Sequence, residues 1–189
     1  MANKALNTEL LDRAIIFAVR AHAGTERRGK GFPYIVHPME AVEIVATMTP
    51  DQELLAAAAL HDTVEDTDVT LEELKSRFGE RVASFVETES DDLSSGDTWH
   101  EKKRKSAARL ASASREAKIV ALGDKLSNMR AIARDYAAKG EDFWNLFHVK
   151  DKSVHGARYR GLVDALQELS GCWAYEEFKR LVYQVFNEE

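Results

Sequence analysis

Apolar residues recur at three- and four-residue spacing along almost the whole chain, and strand-type alternation is nearly absent. That pattern restricts the chain to helices packed on helices, since a 3.6-residue period cannot hold one face of a strand against a core. Leu10, Leu11, Ala14, Ile15, Ala18 and Val19 predict a first amphipathic helix near residues 7–23, followed by a glycine- and charge-rich loop from Ala23 to Gly31. His37-Pro38 opens a second helix, with Pro38 in a tolerated first-turn position. Thr49, Pro50 and Gln52 mark the start of a helix leading into His61, and Thr70–Glu73 and Thr98–Glu101 read as capping boxes. The helix begun at Thr70 stops at Phe78-Gly79, another spans about 80–90, and Asp91 to Asp97 forms a loop. Ile119, Val120, Leu122, Leu126 and Met129 mark a largely buried helix, and helices at about 153–169 and 174–187 complete the chain. The expected fold class is all-α.

The 189 residues suit a single domain, 1–189, with its motif-bearing core at about 10–135 and C-terminal helices at about 140–187. No apolar run approaches the ~18 residues of a membrane span, and Met1 to Glu9 lacks the apolar stretch of a secretory signal. Cys172 is the lone cysteine, which excludes an intramolecular disulfide and a cysteine zinc cluster. A cytoplasmic protein without a membrane partner is the expectation. A formal net charge of −6 argues against general nucleic-acid binding but leaves room for a small anionic substrate. Two basic clusters stand against that background: Arg27, Arg28 and Lys30, and Lys102, Lys103, Arg104 and Lys105 with Arg109. Each reads either as solvated surface or as part of a phosphate-binding rim.

Chemistry concentrates in the run from Ala57 to Thr67, where an apolar Ala/Leu segment carries His61-Asp62 and then Glu65-Asp66. On one continuous helix, His61 and Glu65 share a face, as do Asp62 and Asp66. An imidazole and a carboxylate can hold a cation there, while the next turn aims two more carboxylates at what binds. Asp124, a lone acid among Ile119, Val120, Leu122 and Leu126, would be costly to bury unpaired and is the best distant ligand. An internal salt bridge with Lys125 or an arginine is its alternative. His37 is the best fourth ligand, completing a His₂Asp₂ set of the kind used by metal-dependent hydrolases.

The order His37, His61-Asp62, Asp124 resembles the HD superfamily of metal phosphohydrolases. The surrounding residues narrow the resemblance to alarmone hydrolases of the RelA/SpoT type: Ala21 to Gly24 with Arg27-Arg28, Pro33 to Pro38, Ala59 to Thr67, Phe78-Gly79, and Leu122 to Asn128. The resemblance implies a helical HD-type fold and hydrolysis of guanosine tetra- or pentaphosphate at the 3′ position, releasing pyrophosphate and leaving GDP or GTP. It implies Mn²⁺ as the cofactor, held by His37, His61, Asp62 and Asp124, although His/Asp sites accept other divalent metals. It also implies that Glu65 and Asp66 position or deprotonate the attacking water, that Arg27 and Arg28 lie at the nucleotide, and that Asn128 reaches the ribose or phosphates. The expected partner is a small-molecule nucleotide; the oligomeric state stays open.

Three departures accompany the match. Ser90 and Leu93 stand where the family commonly has a Thr followed shortly by a Lys, removing one expected phosphate contact. Gly123 replaces the common Ala before the acid, a small packing change. The chain also ends without a synthetase or regulatory domain, like the small stand-alone hydrolases, so alarmone synthesis is not expected. Two other readings therefore compete: hydrolysis of a different phosphorylated nucleotide, such as a nucleoside monophosphate or NADPH, and a catalytically silent nucleotide-binding regulator. Phe143, Trp144, Phe147, His148, His155 and Tyr159 include candidates for a purine wall, but aromatics at helical spacing more often pack a core, and none is assigned.

Overall fold

A computed structural model describes residues 7–89, 96 and 98–186. The loop expected at Asp91 to Asp97 and the departures at Ser90 and Leu93 fall outside the described residues, Gly96 excepted. Within them the fold is all-α, as the periodicity predicts. The helices are α1 (Glu9–Ala21), α2 (Val36–Ala46), α3 (Gln52–Leu60), α4 (Thr63–Asp66), α5 (Leu71–Phe78), α6 (Glu80–Glu89), α7 (Trp99–Ala111), α8 (Arg115–Lys139), α9 (Lys152–Ala165) and α10 (Trp173–Phe186). 3₁₀ segments lie at Gly140–Leu146 and Gln167–Leu169, and among the described residues extended pairing is limited to one bridge between Glu26 and Pro33. No helix among them is long and apolar enough to cross a membrane.

The Ala-rich helix α3 is the centre of the packing. Every residue from Leu54 to Leu60 is buried, with α1, α2, α6 and α8 packed around it. Four consecutive alanines at 56–59 keep the helix thin enough for these neighbours to close on all sides, while Leu54 and Leu60 fill the gaps. Removing either leucine side chain would cost about 2–5 kcal/mol. Helix α8 packs against both α2 and α10, with Arg130 reaching Glu40 and Glu177 on the two, and α9 packs against α10 and α7.

The helix ends follow local chemistry. Thr98 forms the predicted reciprocal capping box with Glu101, whereas at Thr70 only half of the predicted box forms: its hydroxyl accepts from the Glu73 amide, while the Glu73 carboxylate accepts from Arg77. Gly79 ends α5 with φ of 93°, a conformation open to glycine. Three expectations are corrected. Asp51, not Thr49, caps α3, because its carboxylate accepts from the Glu53 amide while Thr49 accepts from Asp51 itself. Helix α2 begins at Val36, so Pro38 sits third rather than first, still within the turn whose amides need no intrahelical partner. The third correction concerns the central motif. His61-Asp62 and Glu65-Asp66 are not on one continuous helix, since α3 ends at Leu60 and α4 starts at Thr63.

Candidate metal centre and substrate cleft

The break at His61-Asp62 is built by side chains that take over backbone carbonyls. His61 Nδ1 donates to the Ala58 carbonyl at 2.8 Å, and the Thr63 hydroxyl donates to the Leu60 carbonyl at 2.7 Å. Both residues remain near right-handed helical angles, so the chain turns without reversing and the Asp66 amide still reaches the Asp62 carbonyl at 2.9 Å. Two polar side chains are thereby held at the mouth of an apolar core.

Four groups converge there. His61 Nε2 lies 3.3 Å from His37 Nε2 and 2.9 Å from an Asp62 carboxylate oxygen. Asp124 Oδ1 lies 3.1 Å from His37 Nε2 and 3.5 Å from His61 Nε2. His37 comes from α2, Asp124 from α8 and the His-Asp pair from the α3–α4 turn, so the packing of three helices sets the geometry. Both imidazoles and Asp124 are buried.

Hydrogen bonds fix the proton positions on both rings. The Ser127 hydroxyl donates to Glu40 at 2.7 Å and so must accept from His37 Nδ1 at 2.8 Å. His61 Nδ1 faces a carbonyl and must also carry a proton. Nε2 is therefore the inward-facing nitrogen of each ring, the atom that can bind a metal once it carries no proton. Burial disfavours charge on His61, but the facing Asp62 and Asp124 carboxylates outweigh it and raise its pKa well above the usual value. Burial likewise opposes ionisation of Asp62, and the His61 charge and imidazole hydrogen bonds overcome it, holding that carboxyl well below the ordinary range. For Asp124 the Lys125 ammonium is the main force that overcomes burial. Two inward Nε2 atoms and two ionised carboxylates that already favour positive charge between them fit a divalent cation, which would take the place of the His61 proton.

Asp124 also forms the salt bridge considered from the sequence. Lys125 reaches one Asp124 oxygen at 2.5 Å and Glu89 at 2.9 Å, which leaves the other oxygen facing the imidazoles. Asn128 donates to that second oxygen and accepts from Arg27 at 2.5 Å. Arg27 in turn lies over the Tyr34 ring, 5.2 Å from its centroid, and the Tyr34 hydroxyl donates to Asp62 at 2.7 Å. Burial, followed by the Asp62 charge, pushes the Tyr34 hydroxyl far up, so it remains a donor.

These groups line a polar cavity of about 220 Å³ that also receives Glu65, Asp66, Lys103 and Arg158. Glu65 and Asp66 are exposed at its edge. A second cavity of about 290 Å³ adjoins it through Arg27, Tyr34, Asn128 and Arg158, and is walled by Arg28, Phe143, Phe147 and Tyr159. All nine candidate site residues thus lie on two connected cavities. Sequence reading noted Tyr34 only as part of the Pro33–Pro38 motif and gave it no role, did not single out Arg158, took Lys125 only as a salt-bridge partner, and left Lys103 undivided within its basic cluster. A larger groove of about 950 Å³ lies at Tyr136, Lys152, Arg160 and Phe186, away from the converging donors.

The fold and site define a helical protein built around a His/Asp cluster that could hold a metal ion. The chain belongs to the HD-domain family, whose pattern matches residues 14–148. It is 39% identical over 131 residues to a guanosine-3′,5′-bis(diphosphate) 3′-pyrophosphohydrolase, MESH1, of Danio rerio, covering 68% of this chain and 72% of that one. An enzyme with the same activity name from Aquifex aeolicus is 49% identical over 81 residues, 43% of this chain and 12% of its own length. This chain therefore spans only a small part of some of its curated relatives. Among solved structures, one described as a metazoan ortholog of SpoT that hydrolyzes ppGpp superposes with a TM-score of 0.78 at 24% identity, over 96% of this chain and 98% of that one. A Listeria monocytogenes EGD-e structure gives 0.72 at 23% identity, over 80% and 99%. Those two likenesses speak for the fold.

Proposed function

We propose that this chain hydrolyses guanosine tetra- and pentaphosphate at the 3′ position, with Mn²⁺ as its working cation. The observation that carries the reading is the convergence of His37, His61, Asp62 and Asp124 beneath a rim of Glu65, Asp66, Lys103 and Arg158. The activity named for its relatives in zebrafish and Aquifex supports it. When bound by the four ligands, a divalent cation supplies Lewis acidity to water and to a phosphoryl oxygen.

The reaction adds water across the bond between the 3′ oxygen and its phosphorus, giving GDP or GTP and pyrophosphate. Glu65 and Asp66, one turn beyond the ligands and on the cavity edge, orient the water and take up its proton. Arg27 and Arg28 face the nucleotide; Arg27 is pre-oriented by Asn128 and Tyr34, which lowers the cost of ordering it on binding. Lys103 and Arg158 offset phosphate charge, and the cavity walled by Phe143, Phe147 and Tyr159 suits the purine. We infer action in the cytoplasm, which the lone Cys172 supports, and a single working domain over 1–189, which the continuous core supports.

Protein reconstituted with Mn²⁺ and incubated with ppGpp should release GDP and pyrophosphate, separable by chromatography. Absence of both products overturns the reading. Faster turnover of NADPH or nucleoside monophosphates in the same assay would transfer the site to another phosphorylated nucleotide.

A further inference from the structure

We propose that the groove between α7 and α9 is the subsite for the 5′-phosphate chain of the substrate, with Arg104 as its outermost contact. This rests on the nucleotide reading above and extends it to the other end of the molecule.

The groove has a volume of about 420 Å³ and shares Lys103 and Arg158 with the metal cavity. Arg158 lines the metal cavity, the aromatic cavity and this groove alike, so three compartments meet at one guanidinium. A guanosine phosphorylated at both ends has three parts that must diverge from its ribose: a base, a 3′-pyrophosphate and a 5′ chain. The aromatic walls suit the base, and the converging ligands and water-handling carboxylates suit the 3′ end. The remaining compartment has a floor of Ala107, Ala157 and Gly161, cations Lys103, Arg104 and Arg158, and no acidic or aromatic residue among its described lining. Small residues leave space for a flexible chain, and a set of cations without acids favours an anion. Arg104 is exposed and makes no ion pair among the described residues. A β-carbon at Gly161 would meet nothing within 4 Å, so a side chain there would occupy groove space without disturbing the fold.

The test is calorimetric binding of GMP, GDP and GTP to the Mn²⁺-loaded protein at constant excess cation. Affinity should rise with each added 5′ phosphate. Arg104→Ala should weaken GTP binding about fivefold, the effect of one exposed charge pair, and leave GMP nearly unchanged. Gly161→Glu should weaken GTP in the same graded way. An equal loss for GMP and GTP, or no loss in either variant, overturns the proposal. So does a graded loss in Arg28→Ala in place of Arg104→Ala, which would lay the chain over the aromatic cavity instead. A phosphate-graded affinity lost in Arg104→Ala, in a protein that does not hydrolyse ppGpp, would uphold the groove while the hydrolase reading fails.

Discussion

Gly123 rests directly against Ala41. A β-carbon at position 123 would meet the Ala41 carbonyl oxygen at 2.9 Å and Val45 Cγ2 at 2.7 Å. The contact sets how closely α8 approaches α2, and these two helices carry Asp124 and His37. The glycine is thus more than the small packing change its place beside the acid suggests. Gly123→Ala gains about 1 kcal/mol in helix propensity but must displace a backbone carbonyl, an overpacking cost of about 1–3 kcal/mol. We expect a net loss of about 1 kcal/mol in urea unfolding and weaker Mn²⁺ binding. A gain in stability with unchanged metal affinity would refute this account of the helix contact.

Ser127 holds the proton of His37 in place, accepting from Nδ1 while donating to Glu40. Ser127→Ala removes that acceptor and lets the ring protonate Nε2, the atom facing the cation site. Metal affinity should fall about 10–100-fold, the usual effect of losing a group that orients a ligand. Mn²⁺ titration by calorimetry, with circular dichroism to show that the helices persist, is the measurement. Unchanged affinity would mean that the serine merely fills space.

Much of this was readable from the residues, for reasons that also explain the rest. Helix period and caps are local, so α5, α6 and the Thr98 start were within reach. The polar His61-Asp62 pair inside an Ala/Leu run stood out because burying it needs a partner. The break between α3 and α4 did not, since His61 and Asp62 keep near-helical angles and leave the side-chain period intact. Lys103 and Arg158 were indistinct for a different reason. A cation's place on a cavity depends on the packing of α7 against α9, and neighbours such as Lys102 and Arg160 look alike in sequence.

On the proposed ligand set, a cation held by four groups from three elements would bind the folded chain and not the unfolded one, and so would stabilise the fold. Mn²⁺ at about 100 times its dissociation constant should add ~2.7 kcal/mol, seen as a rise in Tm that chelation reverses. His61→Ala, which removes one ligand, should abolish most of the rise. An equal rise in that variant would move the stabilising cation elsewhere.

Glu65 and Asp66 lie on the cavity edge, and neither is among the four converging donors, so their loss should separate chemistry from metal binding. Glu65→Gln keeps the shape of the side chain and removes its charge. If Glu65 handles the proton of water, kcat for ppGpp should fall about 10²–10⁴-fold, with KM and Mn²⁺ affinity nearly unchanged. The same substitution acting mainly on KM would make Glu65 a binding residue. An unaltered kcat would leave Asp66 as the group that takes the proton, and Asp66→Asn should then show the large loss on its own.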